Sequence, residues 1–198
     1  MHPTPAQRAI RRGSPGLRGR SGFSMVELMV TVAVMAVLMA AAFPSFTGLV
    51  NGNRLTGNAN ELLASLQMAR SEAIRRNARV AVCRTEDQAT CADSAGLWTG
   101  WLTIVEGTGE VLRVNAVMAP LQMQASETIS DDDDRVVFRP DGRARSAAGL
   151  LLVASIATCH ETSRPAENVR IVSIQSGSRI QVVPGNEGGE CPAPGDTP

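Results

Sequence analysis

Lysine is absent from this 198-residue chain, so all 19 basic side chains are arginine. That removes Schiff-base chemistry and the lysine of a phosphate-binding loop at once. Tyrosine is also absent, aromatic residues make up only 3% of the sequence, and the histidines are His2 and His160 alone. Neither sits in a recognisable nucleophile or acid–base arrangement, so the reading is a protein that is not an enzyme. No Cys-x-x-Cys pair occurs, and His160 beside Cys159 is too little for zinc, so no metal and no cofactor are expected. Acidic residues are missing before Gly22, where Arg8, Arg11, Arg12, Arg18 and Arg20 lie. Without that segment 14 arginines face 19 acids, a formal charge of −5, which implies no general nucleic-acid surface.

What is present starts with Gly22-Phe23-Ser24-Met25-Val26-Glu27, the mouth of an apolar run over residues 23–43 in which Glu27 is the sole charge. At 1.5 Å per residue this run spans ~30 Å, about one hydrocarbon core. A carboxylate near a bilayer core costs ~2.5–3.5 kcal/mol, which makes Glu27 a functional candidate. An ordinary secretory signal cut after Ala42 would fit Ala40-Ala41-Ala42 and would release a soluble periplasmic domain. A leader too long for a typical basic n-region and the carboxylate inside the apolar run both argue against it. Arg11-Arg12 is not followed by the apolar residues that twin-arginine export needs. The favoured reading is a retained helix.

Five arginines before the run, against Arg54 soon after it, predict the leader inside and the remainder outside the inner membrane. Cys83, Cys91, Cys159 and Cys191 then all fall in an oxidising compartment, where two disulfides are expected. Four cysteines allow three connectivities; Cys83 with Cys91 and Cys159 with Cys191 is preferred because each pair closes a local loop.

Beyond the apolar run, Pro44, Gly48 and Gly52 weaken any continuous helix. Leu55, Ala59, Leu62, Leu66, Ala69 and Ala73 then recur at steps of four and three, one apolar face of an amphipathic helix. Arg70, Arg75 and Arg76 suit its C-terminal dipole, and Asn77 suits a cap. From residue 77 the pattern becomes short β-rich runs: 79–83, 101–105, 110–114, 121–125, 135–138, 150–155, 169–174 and 179–183. Their hairpin-length spacing argues for antiparallel sheet. The tail from Pro184 reads as loop held by Cys191.

The signal at residues 22–27, Pro44, Asn60-Glu61-Leu62, Ala69-Arg70-Ser71-Glu72-Ala73-Ile74-Arg75-Arg76, the Cys83 strand and Trp98-Thr99-Gly100-Trp101 together resemble the GspH/FimT family of type IV minor pilins and type II secretion pseudopilins. The resemblance covers the chain from Gly22 to about Val183. It implies an α+β, pilin-like fold, a long N-terminal helix whose first half is transmembrane, packed on antiparallel sheet. It divides the chain into a cleaved leader (1–22), a membrane or filament-core helix (23–43), its amphipathic continuation (44–76) and a periplasmic head (77–198). It further implies cleavage by prepilin peptidase between Gly22 and Phe23, methylation of the Phe23 amine, and an assembly role for Glu27. Paired with the amine of a neighbour's Phe23 at 4 Å, Glu27 would gain ~4 kcal/mol at an effective dielectric of 20. The expected function is to initiate or cap a type IV pilus or type II secretion pseudopilus. Other pilin subunits, the peptidase and the inner membrane are the expected partners.

Asp131-Asp132-Asp133-Asp134 is the densest charge run; its spacing is not that of a calcium loop, and a solvated loop is expected. Gly142-Arg143-Ala144-Arg145 matches the Gly-Arg-x-Arg letters of DNA-uptake pilins in this family, but that stretch is expected nearer Gly177-Ser178-Arg179, where the chain departs from the pattern. Arg143, Arg145 and Arg179 are therefore the candidates for an alternative, DNA-binding function, with turn chemistry at Pro140-Asp141-Gly142 as the plainer account. Trp98 and Trp101 are expected to pack in the core.

Overall fold

The computed structural model describes residues 22–197, without the side chains of residues 41–45. The arginines of the leader, His2, and the side chains of Ala41, Ala42, Phe43 and Pro44 thus lie outside the described residues. The chain divides into two compact units, Met1–Ala42 and Phe43–Pro198.

In the first unit the described part is the start of helix α1 (Met25–Arg76). Its side chains are apolar on every side: Met25, Val26, Met29, Val34, Val37 and Leu38 are all exposed. A helix that is hydrophobic all round belongs in an apolar surrounding, because no face of it suits water. Among the described residues no helix is long and apolar enough to cross a membrane.

In the second unit α1 becomes one-sided. Leu55, Ala59, Leu62, Leu66, Ala69 and Ala73 are fully buried, as their spacing requires. Three of these six are alanines, which let the helix backbone lie close to the strands. Asn77 ends the helix in the left-handed region (φ 50°). Its N–H bonds to the Ile74 carbonyl at 3.4 Å, and the Ala78 N–H bonds to the Ala73 carbonyl at 3.2 Å. That pair of bonds is the Schellman arrangement, with asparagine in the place glycine usually takes.

Two antiparallel sheets follow. The first contains β1 (Val80–Arg84), β2 (Gly100–Val105), β3 (Glu110–Ala116), β5 (Arg135–Phe138) and β6 (Ala144–Arg145), in the order β3-β2-β1-β5-β6. The second contains β4 (Leu121–Ala125), β7 (Ala154–His160), β8 (Val169–Gln175) and β9 (Arg179–Gly185), in the order β4-β7-β8-β9. One turn of helix, α2 (Glu127–Ser130), joins β4 to β5. A single core unites α1 with the inner faces of both sheets: Val80, Val82, Trp101 and Phe138 from the first, Met123, Ile156, Val172 and Ile174 from the second.

Polar contacts fix the helix against each sheet. Trp101 Nε1 donates to Ser65 Oγ at 2.9 Å, and Thr158 Oγ1 donates to Asn58 Oδ1 at 2.9 Å, both buried. Gly100 precedes Trp101 because a Cβ there would stand 2.6 Å from the Asn115 carbonyl oxygen of the paired strand. Trp98 and Trp101 are both core residues, 2% and 0% exposed.

Two disulfides, Cys83–Cys91 and Cys159–Cys191, complete the head. The second straps the C-terminal tail over the outer face of the four-stranded sheet, where Cys191 packs with Ala157, Val169 and Ile171. Gln124 Nε2 donates to the Cys191 carbonyl at 3.0 Å, and Thr128 Oγ1 donates to Asp196 Oδ2 at 2.7 Å. The strand expected at 150–155 is corrected at its start: Leu151 makes only an isolated bridge to Arg145, and β7 begins at Ala154, so the expected run meets it at Ala154 and Ser155 alone. Residues 150–152 are three leucines, but only Leu152 is buried.

Candidate functional site

The N-terminal motif is built on a helix cap. Ser24 Oγ accepts from the Glu27 N–H at 3.2 Å, and the Ser24 carbonyl accepts from the Leu28 N–H at 3.1 Å. Ser24-Met25-Val26-Glu27 thus has capping-box spacing, and the Glu27 carboxylate lies in the first turn, where the helix dipole favours it. Gly22 and Phe23 precede the helix and are exposed. The bond between them is therefore accessible, and the carboxylate stands one helical turn away from it.

At the other end of α1, Arg70 Nη1 donates to the Ser178 carbonyl in the β8–β9 turn at 2.9 Å. Glu72 holds Arg75 Nε at 3.0 Å and Arg76 Nε at 2.7 Å. Those bonds, Arg75 first and then Arg76, pull the Glu72 carboxyl down to about 2. Arg76 also reaches Glu110 of β3 at 2.6 Å. The basic end of the helix, which suits its dipole, is thus also tied to both sheets.

The three candidate arginines come from segments far apart in sequence that meet at this end of the head. Across that gap the Ala144 N–H donates to the Gly177 carbonyl at 2.6 Å. Gly177 is in the left-handed region (φ 67°), and a side chain there would strike the Ala144 carbonyl. Arg143 and Arg179 are exposed and make no ion pair among the described residues. Arg145 is engaged, with Nη2 3.2 Å from Asp141 and Nη1 donating to the Gly149 carbonyl at 3.0 Å. Asp141 also accepts from the Arg143 N–H at 3.1 Å; that bond, followed by Arg145, lowers its carboxyl. The Pro-Asp-Gly turn therefore consumes one of the three charges.

The aspartate run is not uniformly solvated, which corrects the loop expectation. Asp131 and Asp133 are exposed, but Asp134 is completely buried, and burial pushes the half-exposed Asp132 carboxyl up. Asp134 Oδ2 lies 3.1 Å from Nε of the buried Arg84 and accepts from the Gly96 N–H at 2.7 Å. Arg84 also reaches Glu86 at 2.7 Å and Ser94. The pair locks the 84–96 loop, which the Cys83–Cys91 bridge closes, against the start of β5. The one hint in the sequence is Arg84 directly after the apolar run expected as a strand at 79–83, since an arginine needs an acid wherever it is buried. Nothing in the spacing says which of the four aspartates supplies it. Among the described residues no group of three His, Cys, Asp or Glu side chains could hold a metal ion.

On the outer face of the five-stranded sheet lies a cleft of about 220 Å³ walled by Arg79, Arg135, Arg139 and Arg145. Glu106, Asp132 and Asp133 line its remaining polar wall. Its arginines other than Arg145 were not singled out in the sequence, because they are scattered over 60 residues with no common spacing.

A helix that starts beside a Gly-Phe bond, carries an acid in its first turn, is apolar at one end and is packed into antiparallel sheets at the other defines a pilin-like subunit. The family described as type II transport protein GspH matches residues 58–188, and the prokaryotic N-terminal methylation motif matches residues 17–43. The chain belongs to the GspH family, which is structural rather than enzymatic. The type IV minor pilin FimU of Pseudomonas aeruginosa (strain PAO1) is similar to it in two crystal forms. One shares 23% identity at a TM-score of 0.48, covering 69% of this chain and 92% of that one. The other shares 23% identity at 0.45, covering 66% and 93%. No curated protein sequence matches the chain.

Proposed function

We propose that this protein is a minor pilin or pseudopilin that helps to initiate or cap a type IV pilus or a type II secretion pseudopilus. Prepilin peptidase cuts between Gly22 and Phe23, the new amine of Phe23 is methylated, and the apolar start of α1 stays as the inner-membrane anchor. The head then lies in the periplasm. The observation that carries this reading is Glu27: a lone carboxylate in the first turn of an all-apolar helix, one turn from the scissile bond. Within a packed filament it meets the cationic amine of an adjoining subunit's Phe23, and leaving it unpaired there is costly. In a Glu27→Ala variant, cleavage and methylation persist while the subunit is lost from filament or pseudopilus fractions. Normal incorporation of that variant sinks the assembly role.

A second reading, a DNA-receiving pilin, is supported by the hydrogen-bonded meeting of residues 142–145 with residues 177–179. It joins the segments that carry Arg143 and Arg179, both exposed. Two or three phosphate contacts give weak, strongly salt-dependent binding. DNA retention unchanged in the Arg143→Glu, Arg145→Glu, Arg179→Glu triple variant removes this reading.

A further inference from the structure

We propose that the cleft on the outer face of the five-stranded sheet is a docking site for an acidic, apolar-flanked peptide segment of another protein. The inference is independent of the assembly reading, since it concerns the head and its test reads binding rather than incorporation.

Three of the four guanidinium groups in the cleft are incompletely used. Arg79 and Arg139 make no ion pair or side-chain hydrogen bond among the described residues. Arg135 holds Asp133 only at 3.7 Å, and its Nε is buried without a hydrogen-bond partner. Planar forks of this kind select carboxylates, which they bind through paired N–H donors. Beside them stands an apolar loop. Ser146 and Ala147 line the cleft, and the chain then turns through Gly149, whose carbonyl Arg145 holds. Leu150 beyond that turn is 70% exposed, and Leu151 and Val153 are also open to solvent. Arginine is among the side chains that most often anchor a partner, and the exposed leucines a few residues past the cleft wall add apolar surface for flanking residues.

The same walls disfavour nucleic acid. Glu106, Asp132 and Asp133 would repel a chain of phosphates running through the cleft, and no aromatic side chain lines it for bases to stack on. A single acidic side chain meets that repulsion once rather than at every residue, and Arg79 and Arg139, which have no ion pair of their own among the described residues, offset it. At about 220 Å³ the cleft accommodates one or two such groups, not a polymer backbone.

The test uses the full-length chain in detergent with a fluorescent Leu-Glu-Leu-Glu-Leu peptide, its glutamine counterpart, and an oligothymidylate. Fluorescence anisotropy is expected to show binding of the acidic peptide, weakened by salt, with the glutamine peptide at least about tenfold weaker. An Arg79→Glu, Arg139→Glu variant loses this binding, and the milder Arg79→Gln, Arg139→Gln variant, which removes charge without reversing it, follows in the same direction. Arg143→Glu with Arg179→Glu leaves it intact. Equal binding of both peptides, no binding of the acidic one, or its full displacement by the oligonucleotide overturns the proposal. So does binding that survives both cleft variants while their melting curves match the parent protein's.

Discussion

The two halves of α1 share one backbone geometry and differ in everything that side chains decide. From Met25 to Met39 every side chain meets solvent in the isolated chain, and the exposed ones are almost all hydrophobic. From Leu55 to Ala73 a single stripe is fully buried, while Glu61 on this stretch and Arg54 and Arg75 just beyond its ends are exposed. Among the described residues the side chains of the first half stay exposed, whereas the second half is covered by two sheets at once. Stability of the head should therefore be sensitive to the second half and indifferent to the first.

The largest contrast is expected from a buried charge. Leu62→Asp puts an unpaired carboxylate into the core and should cost about 4–5 kcal/mol or more, enough to unfold the head. Val34→Asp should leave the head's melting transition in detergent unchanged. A comparable loss of near-ultraviolet ellipticity in both variants would break the comparison. Next in size, Leu66→Ala should cost about 2–5 kcal/mol through the lost burial and the cavity left behind. Val37→Ala, by the same denaturant titration, should stay within about 0.5 kcal/mol.

A smaller effect tests the polar tie between helix and sheet. Trp101→Phe keeps the ring but removes the donor to Ser65, and should cost about 1–3 kcal/mol because the Ser65 hydroxyl loses a buried partner. Paired with Ser65→Ala in a double-mutant cycle, the two losses should be less than additive; strict additivity would mean the bond contributes nothing. The smallest effect belongs to the exposed end of the helix. The Glu72 carboxyl titrates at about 2 in the fold against 4.5 ordinarily, so its contribution is complete above 4.5 and fades as pH falls toward 2. Glu72→Gln should flatten that part of the melting temperature against pH profile and leave the neutral region nearly unchanged.

Much of the architecture was legible from local pattern. The stripe Leu55, Leu62, Leu66 announces its buried face, because a helix repeats every 3.6 residues whatever it packs against. The tight turn between β2 and β3 is legible in Glu106-Gly107-Thr108-Gly109, both of whose glycines adopt positive φ. Less could be read where the outcome depends on what a segment meets. Leu150 and Leu151 look like the start of a strand and lie open, while His160, polar and unremarkable, closes β7. Asp134 is indistinguishable from Asp133 in the sequence, and only the position of Arg84 across the fold buries one and leaves the other in water. The same holds for the candidate arginines: Arg145 is neutralised by Asp141 four residues away, whereas the segments carrying Arg143 and Arg179 are joined by the long-range Ala144–Gly177 bond.

Local chemistry alone therefore determined the helix, its cap at Ser24 and the placement of Glu27 in the first turn. These depend on neighbours within a few residues, and short-range sterics and hydrogen bonding settle them. The partition into two sheets, the burial of Asp134 and the gathering of Arg79, Arg135 and Arg139 around one cleft were decided by the tertiary structure. Each needs groups up to tens of residues apart to share one surface, and only a packed core can bring them there.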